Sequence, residues 1–244
     1  MRDILAISAH PDDVELCVAG TLMKAGDAGR TFAICDLTEG ERGTRGTVET
    51  RREETRRANE VLGLAAEHRW NLGMPDGNIQ INQENTLKVV RAIRHFRPSV
   101  LLFSWDNDRH PDHEDVNRLV RRAVFDSGLT NVETAWNGER QKPHRPDRMY
   151  CFFHTYERTP DFVVDITEQI ERKIRVIEAY GTQFTMPGRE KDDSEPQTFI
   201  STPAFAESLL ARMRHWGFLI GTTYGEPFVT VHGPIKVNDL LDTV

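Results

Sequence analysis

The sequence has few cysteines and no pair of them spaced for a metal site or a redox motif. Its three cysteines, Cys17, Cys35 and Cys151, are an odd number and lie far apart. Structural zinc sites and thioredoxin-like sites need closely spaced pairs such as C-x-x-C. We therefore interpret all three as buried free thiols in a reducing compartment, which predicts a cytoplasmic protein.

Long apolar runs and an excess of positive charge are also missing. No apolar stretch approaches the ~20 residues that span a bilayer, and the N-terminus lacks the pattern of a signal peptide. The formal net charge of −7 argues against nucleic-acid binding, which usually needs a basic surface. We expect neither a membrane nor a nucleic acid as partner. A length of 244 residues favours a single globular domain over 1–244.

Several common catalytic signatures are absent. The sequence contains no GxSxG, no Walker A motif and no HExxH, which argues against the enzyme classes that these motifs define. The segment GERGTRG (40–46) resembles a phosphate-binding loop only loosely. We interpret it as a flexible substrate loop, with a plain surface turn as the alternative.

Strand-like and helix-like segments alternate along the first half of the chain. Short apolar runs predict strands at 3–9, 31–37, 68–73 and 99–104. Amphipathic segments predict helices at 14–27, 48–63, 84–96 and 112–128. This alternation predicts an α/β fold, a Rossmann-like, doubly wound and mostly parallel sheet with strand order 3-2-1-4-5.

The pattern is less regular in the second half, where we expect a looser C-terminal α/β portion. A polar loop is predicted at 137–147 and a second polar, mobile segment at 186–196. Further strands are predicted at 148–154 and 162–166, and further helices at 167–181 and 204–217.

Two similar motifs follow the first and the fourth predicted strands. AHPDDVEL (9–16) and DRHPDHEDV (108–116) share a His-Pro-Asp core, and each joins a strand to a helix. The first and fourth strands are neighbours in the predicted sheet, and their helices cover opposite faces. Both loops should therefore meet at the crevice where such sheets bind ligands.

The residue types in these loops suit a catalytic metal. Two imidazoles and a carboxylate can hold a zinc ion that keeps a position for water. A further carboxylate and a further histidine would remain as base and as oxyanion donor. Spacing alone leaves open which histidine binds the metal. Asp12 or Asp112 taken singly would be interpreted as a helix cap, and a lone histidine as an ordinary surface or core residue.

AHPDDVE followed by HPDH resembles the zinc-dependent N-acetylglucosaminyl deacetylase family, also called LmbE-like or PIG-L-like. Other stretches resemble the bacillithiol-biosynthesis deacetylases of that family. These are ICDLTEGERGTRGTVETRREE, NLGMPDG, DRHPDHEDVNRLVRRAVF, DFVVDIT and IEAYGTQF.

The resemblance implies a role for each residue of the first motif. His10 and Asp13, together with His113, would bind one Zn²⁺ or another divalent ion. Asp12 would be the general base that accepts a proton from water.

The resemblance also implies roles within the second motif. His110 would stabilise the oxyanion as an imidazolium and help to protonate the leaving amine, and Asp112 would orient it. A homo-oligomer, with a hexamer as one form, is implied as well.

The substrate implied is an N-acetyl sugar conjugate similar to N-acetylglucosaminyl malate, which carries two carboxylates. Arg51 and Arg109 match positions that line the pocket in such enzymes, and Arg145 is a weaker match. The alternative for Arg51 is a salt bridge on a helix surface. Other N-acetyl sugars, such as a mycothiol precursor, chitobiose or a glycopeptide, remain open, as does a non-catalytic sugar-binding protein.

Two positions depart from the family pattern. Phe205 stands about where some members carry a pocket tyrosine, so the oxyanion would lack that hydroxyl. Gly77 and Asn78 stand where relatives often have a charged residue, which affects the contacts expected with the substrate.

Overall fold

The protein is described here by a computed structural model that covers residues 1–186, 195–231 and 233. Over these residues the main sheet has seven strands and is flanked by six α-helices. The strands of the sheet are β1 (Ile4–Ser8), β2 (Phe32–Asp36), β3 (Arg69–Asn71), β4 (Val100–Ser104), β7 (Arg148–Phe152), β8 (Phe162–Asp165) and β9 (Gly225–Thr230). A separate hairpin is formed by β5 (Ala135–Trp136) and β6 (Glu139–Arg140). The helices are α1 (Asp13–Asp27), α2 (Val48–Leu62), α3 (Gln83–Phe96), α4 (Pro111–Ser127), α5 (Ile170–Glu178) and α6 (Pro203–Leu219).

The strand order confirms the α/β prediction. The sheet runs β3-β2-β1-β4-β7-β9-β8, and its first five strands are parallel. The predicted order 3-2-1-4-5 is therefore correct, with β7 as the fifth strand. The looser C-terminal portion consists of β9 and β8, which continue the sheet in antiparallel fashion.

Alternate residues of the central strands point to opposite faces, as the period of a strand requires. Leu5 and Ile7 of β1 pack into the apolar core beneath α3 and α4. Ala6 packs into the core on the other face, beneath α1, α5 and α6. Helices α1 and α4 therefore leave neighbouring strands toward opposite faces, and a crevice opens between their N-termini.

The sequence did not predict β9, which lies between β7 and β8. Its segment GEPFVT contains a glycine, a proline and a glutamate, residues that are depleted in strands. The pairing with β7 begins only at Phe228, so Pro227 interrupts no hydrogen bond on that side. The pairing of β9 with β7 and β8 thus overrides the weak strand propensity of its own residues.

Two other boundaries differ from the predictions, and one predicted segment lies largely outside the described residues. The hairpin β5–β6 extends into the loop predicted at 137–147. The helix predicted at 167–181 begins with a 3-10 turn, Thr167–Gln169, before α5. The segment predicted as mobile, 186–196, falls largely on 187–194, which lie outside the described residues.

Among the helices in the described ranges, none is long and apolar enough to cross a membrane. Cys35 and Cys151 are buried thiols, whereas Cys17 is partly exposed.

Candidate active site

The two His-Pro-Asp loops converge at the carboxyl ends of β1 and β4. Ligand atoms of His10, Asp13 and His113 all lie within 4.8 Å of one another. Asp13 and His113 occupy the first turns of α1 and α4, and His10 precedes α1. Parallel neighbouring strands followed directly by helices bring together residues that are about 100 positions apart in the chain.

His10 and His113 each contact two carboxylates. One ring nitrogen lies near Asp13, and the other lies near a second aspartate. His113 Nε2 lies 3.2 Å from Asp13 Oδ1, and its Nδ1 lies 2.8 Å from Asp108 Oδ1. His10 Nδ1 lies 3.4 Å from Asp13 Oδ2, and its Nε2 lies 3.1 Å from Asp76 Oδ1. Carboxylates that hold the outer nitrogen of a ligand histidine fix its orientation in metal sites.

The cluster is rich in negative charge that a cation would balance. Five aspartates lie in or beside it, namely Asp12, Asp13, Asp76, Asp108 and Asp112. Burial lowers the pKa of His10, but its hydrogen bonds to Asp112, Asp13 and Asp76 raise that pKa well above the ordinary value. Burial likewise lowers the pKa of His113, and Asp13 and Asp108 raise it to about 9. Two protonated imidazoles thus provide the charge that a divalent ion would provide, and the donor set fits such an ion.

Asp12 is not an ordinary helix cap. Its backbone has φ 124°, a conformation that side chains rarely adopt. Its carboxylate turns to Arg51, whose Nη1 donates to Oδ2 at 2.9 Å and to the Pro11 carbonyl at 2.7 Å. Burial raises the pKa of Asp12 to about 7, although the charge of Arg51 opposes this. A carboxyl group with this pKa can accept a proton near neutral pH, and it lies beside the candidate metal ligands His10, Asp13 and His113, called here the metal-ligand cluster.

His110 and Asp112 are arranged differently from the predicted pair. The backbone N–H of Asp112 donates to His110 Nδ1 at 3.3 Å, which leaves the proton of a neutral ring on Nε2. The Asp112 carboxylate instead accepts from the Gly77 N–H at 2.7 Å and lies 3.5 Å from His10. Burial and the positive charges of His10 and His113 lower the pKa of His110. These contacts favour a neutral Nε2–H donor over the predicted imidazolium.

The three predicted substrate arginines have separate positions. Arg51 is buried on α2 and forms an ion pair with Asp12, so the alternative of a salt bridge on the helix surface is wrong. Arg109 is exposed at the cavity wall, with its guanidinium 4.6 Å from the centre of the Phe199 ring. The Arg145 guanidinium donates to the Phe125 carbonyl at 2.9 Å, and Arg145 is not among the described residues that line the cavity.

The sequence did not single out three residues that contact the metal-ligand cluster. Asp76 and Asp108 hold His10 and His113, as described above. His154 stacks on His113 with ring centres 3.7 Å apart, and its Nδ1 lies 3.5 Å from Asp13 Oδ1. Burial and the charge of His113 lower the pKa of His154 to about 3, so the ring is neutral. Its position two residues after the end of β7, the fifth strand of the sheet, was the available signal.

A cavity of about 470 Å³ opens onto this cluster. Residues of the 40–46 loop form part of its wall, and the Arg42 N–H donates to Asp76 at 2.8 Å. Gly77 and Phe205, the two departures from the family pattern, also line it. The volume lies in the range of small-molecule sites, roughly 300–1,000 Å³.

Comparisons with known proteins agree with this architecture. Residues 5–124 match the family model described as PIG-L, GlcNAc-PI de-N-acetylase. Diacetylchitobiose deacetylase of Thermococcus kodakarensis is 30% identical over 194 residues, which cover 75% of this chain and 71% of that protein. The "Probable N-acetyl-alpha-D-glucosaminyl L-malate deacetylase 2" of Bacillus anthracis is 25% identical over 215 residues, which cover 81% of this chain and 90% of that protein.

A solved structure is similar over nearly the whole chain. The conserved protein TT1542 from Thermus thermophilus superimposes with a TM-score of 0.83 at 34% identity, covering 97% of this chain and 98% of that one. Together with the matched family model and the Thermococcus relative, this shows that the chain belongs to the PIG-L (LmbE-like) family of de-N-acetylases.

Proposed function

We propose that this protein is a zinc-dependent hydrolase that removes the acetyl group from an N-acetylglucosaminyl conjugate. The observation that carries the proposal is the meeting of the two loops, which gathers His10, Asp13 and His113 within 4.8 Å. Asp12 and His110 lie beside this set and supply the base and the oxyanion donor that amide hydrolysis needs.

The residues present fit a catalytic rather than a structural metal. Three protein ligands leave a coordination position open, as in hydrolytic zinc sites. A bound zinc ion supplies Lewis acidity, which makes water nucleophilic near neutral pH.

Asp12 is the proposed general base. It accepts a proton from the attacking water while the C–O bond to the acetyl carbon forms. Arg51 positions its carboxylate through a 2.9 Å hydrogen bond and holds the Pro11 carbonyl at the same time. The strained backbone of Asp12 aims this carboxylate away from the helix end.

His110 is the proposed hydrogen-bond donor to the oxyanion. Its Nδ1 accepts from the Asp112 N–H, so Nε2–H is the free donor. When the C–N bond breaks, the leaving nitrogen takes up the proton that Asp12 accepted from water and departs as an amine. Phe205, which stands about where some family members carry a tyrosine, lines the cavity wall and has no hydroxyl to offer the oxyanion.

The favoured substrate is N-acetylglucosaminyl malate. Exposed Arg109 at the cavity wall supplies a guanidinium for a malyl carboxylate. The similarity to the Bacillus anthracis relative supports the same choice. Diacetylchitobiose is a second candidate, because the Thermococcus relative named for it is 30% identical.

The test is release of free amine by zinc-loaded protein from N-acetylglucosaminyl malate, diacetylchitobiose and N-acetylglucosamine. We expect turnover of at least one conjugate, its loss on chelation and its recovery with zinc. Absence of amine from all three substrates at saturating zinc would overturn the proposal.

A further inference from the structure

The cavity extends beyond the metal-ligand cluster along α1. Asp13, Leu16 and Cys17 line it from one face of this helix. Glu226 also lines it, and this carboxylate accepts from the Gly20 N–H at 2.9 Å. The helical rise from position 13 to position 20 places this end about 10 Å from the cluster.

Helix α6 also contributes to the cavity wall. Phe205, Leu209, Met213 and Trp216 follow one another at intervals of four, four and three residues, and all line the cavity. This spacing puts them on one face of the helix. Together with Leu16 and Cys17 they form an apolar passage, called here the inner arm.

The inner arm ends at a buried ion pair. The Lys173 ammonium lies 2.5 Å from Glu226 Oε1, and the two residues are 0% and 1% exposed. The Glu226 carboxylate also accepts from the N–H and hydroxyl of Thr21 at 2.7 and 2.6 Å. Because these charges neutralise each other, the end of the arm favours an uncharged group.

The other side of the cluster is polar. Arg42, Asp76 and Arg109 line the cavity there together with Gly43. Sugar hydroxyls need such donors and acceptors. In the inner arm the polar side chains of α6 are Ser208 and Arg212, and the Arg212 guanidinium already donates to Glu157 and to the Phe153 carbonyl. An amide placed at the cluster with its sugar toward this polar side directs its acyl group along α1. An acetyl methyl fills only the start of the arm.

From this arrangement we propose that the inner arm is an acyl-binding subsite, and that the enzyme hydrolyses N-acyl glucosamine conjugates with unbranched chains longer than acetyl. The inference rests on the proposed amide hydrolysis. The step is unchanged: water adds across the C–N bond, a carboxylic acid is released and the nitrogen leaves as an amine.

The first test compares N-acetyl-, N-butyryl- and N-hexanoyl-glucosamine as substrates of the zinc-loaded protein. Each buried methylene should raise kcat/KM about fourfold, which corresponds to about 0.8 kcal/mol. A fall in kcat/KM with chain length would overturn the inference while leaving the proposed function intact. If the protein hydrolyses none of these three compounds and neither N-acetylglucosaminyl malate nor diacetylchitobiose, the proposed function itself is wrong.

Two variants of α6 test the location of the subsite. Leu209→Trp fills the arm and should abolish the preference for hexanoyl, measured as the ratio of kcat/KM for N-hexanoyl- to N-acetyl-glucosamine. Ala211→Trp, exposed on the same helix, is the matched control and should keep the preference. Met213→Ala enlarges the arm and should shift the preference to longer chains. Identical chain-length profiles in all three variants and wild type would contradict the assignment.

A second measurement needs no turnover. Cys17 lines the arm, whereas Cys35 and Cys151 are 0% and 2% exposed. N-hexanoyl-glucosamine should slow alkylation of Cys17 by a small maleimide in metal-free protein, and N-acetylglucosamine should not. Equal protection by both compounds would place the sugar in the arm. Protection by an alkyl N-acetylglucosaminide instead would place the aglycone there, and either result would refute the acyl subsite.

Discussion

Asp12 has the sequence context of a helix cap but the surroundings of a catalytic group. Its backbone at φ 124° is of the kind that costs about 1–3 kcal/mol and persists where function requires it. Its partner Arg51 lies 39 positions away on α2. The motif therefore predicted the carboxylate, but no local pattern could predict that an arginine would hold it.

Asp12→Asn should keep the metal and lose turnover. The amide preserves the shape of the side chain but cannot accept the proton, and loss of a general base typically costs about 10²- to 10⁴-fold in rate. Kinetics and zinc content should be measured on the same samples. Asp106→Asn, exposed beyond β4, is the control. Near-normal turnover in Asp12→Asn would remove this residue from the mechanism.

The arginines should differ in which substrates they affect. Arg109→Ala should depress kcat/KM for the malate conjugate more than for N-acetylglucosamine, by roughly 10- to 150-fold for a contact worth about 1.5–3 kcal/mol. Arg51→Ala should slow both substrates alike, since it acts through Asp12. Arg145→Ala should change neither. If Arg109→Ala leaves the ratio of kcat/KM for the malate conjugate to that for N-acetylglucosamine unchanged, another N-acetyl sugar is favoured as the substrate.

Metal binding should release protons. In metal-free protein the pKa of His10 is well above its ordinary value and that of His113 is about 9, so both rings are cationic at pH 7. Ligation requires neutral imidazoles, hence the apparent zinc affinity should rise with pH up to these pKa values. Calorimetric titrations in buffers of different ionisation enthalpy measure the release. Heats that do not depend on the buffer would contradict these protonation states.

At the scale of elements, β9 connects the sheet to α1 and α5 through Glu226. Its carboxylate caps no helix end but accepts from Gly20 and Thr21 inside α1 and from Lys173 of α5. These contacts of Glu226 were not predictable from the sequence. The segment GEPFVT has a composition that is unfavourable for a strand, and the partners Thr21 and Lys173 lie 205 and 53 positions away from Glu226. The helices α1 to α4 were predictable within a few residues, since each carries its own periodic apolar face.

Lys173→Met should destabilise the fold strongly. It leaves the Glu226 carboxylate buried without its cation, a change that costs roughly 3–5 kcal/mol. Lys24→Met provides a control, since the side chain of Lys24 is 47% exposed and surface substitutions usually stay within about 0.5 kcal/mol. Urea unfolding would measure both free energies. Equal values for the two variants would contradict a structural role for the buried pair.

At the scale of the whole molecule, the site exists because two distant loops leave neighbouring parallel strands toward opposite faces. That juxtaposition could be predicted, because strand order and motif position together determine it. The contributions of Asp76, Asp108 and His154 could not, since single polar residues after strands are common. The single-domain organisation over 1–244 stays a prediction.

The central claim is that His10, Asp13 and His113 form one zinc site that the reaction requires. The most direct test is the zinc content per chain after zinc loading and dialysis. It is measured on wild type, on His113→Ala and on the exposed control His215→Ala. Wild type and His215→Ala should each hold about one zinc, and His113→Ala should lose both metal and activity. A His113→Ala protein that retains its full zinc would contradict the ligand set.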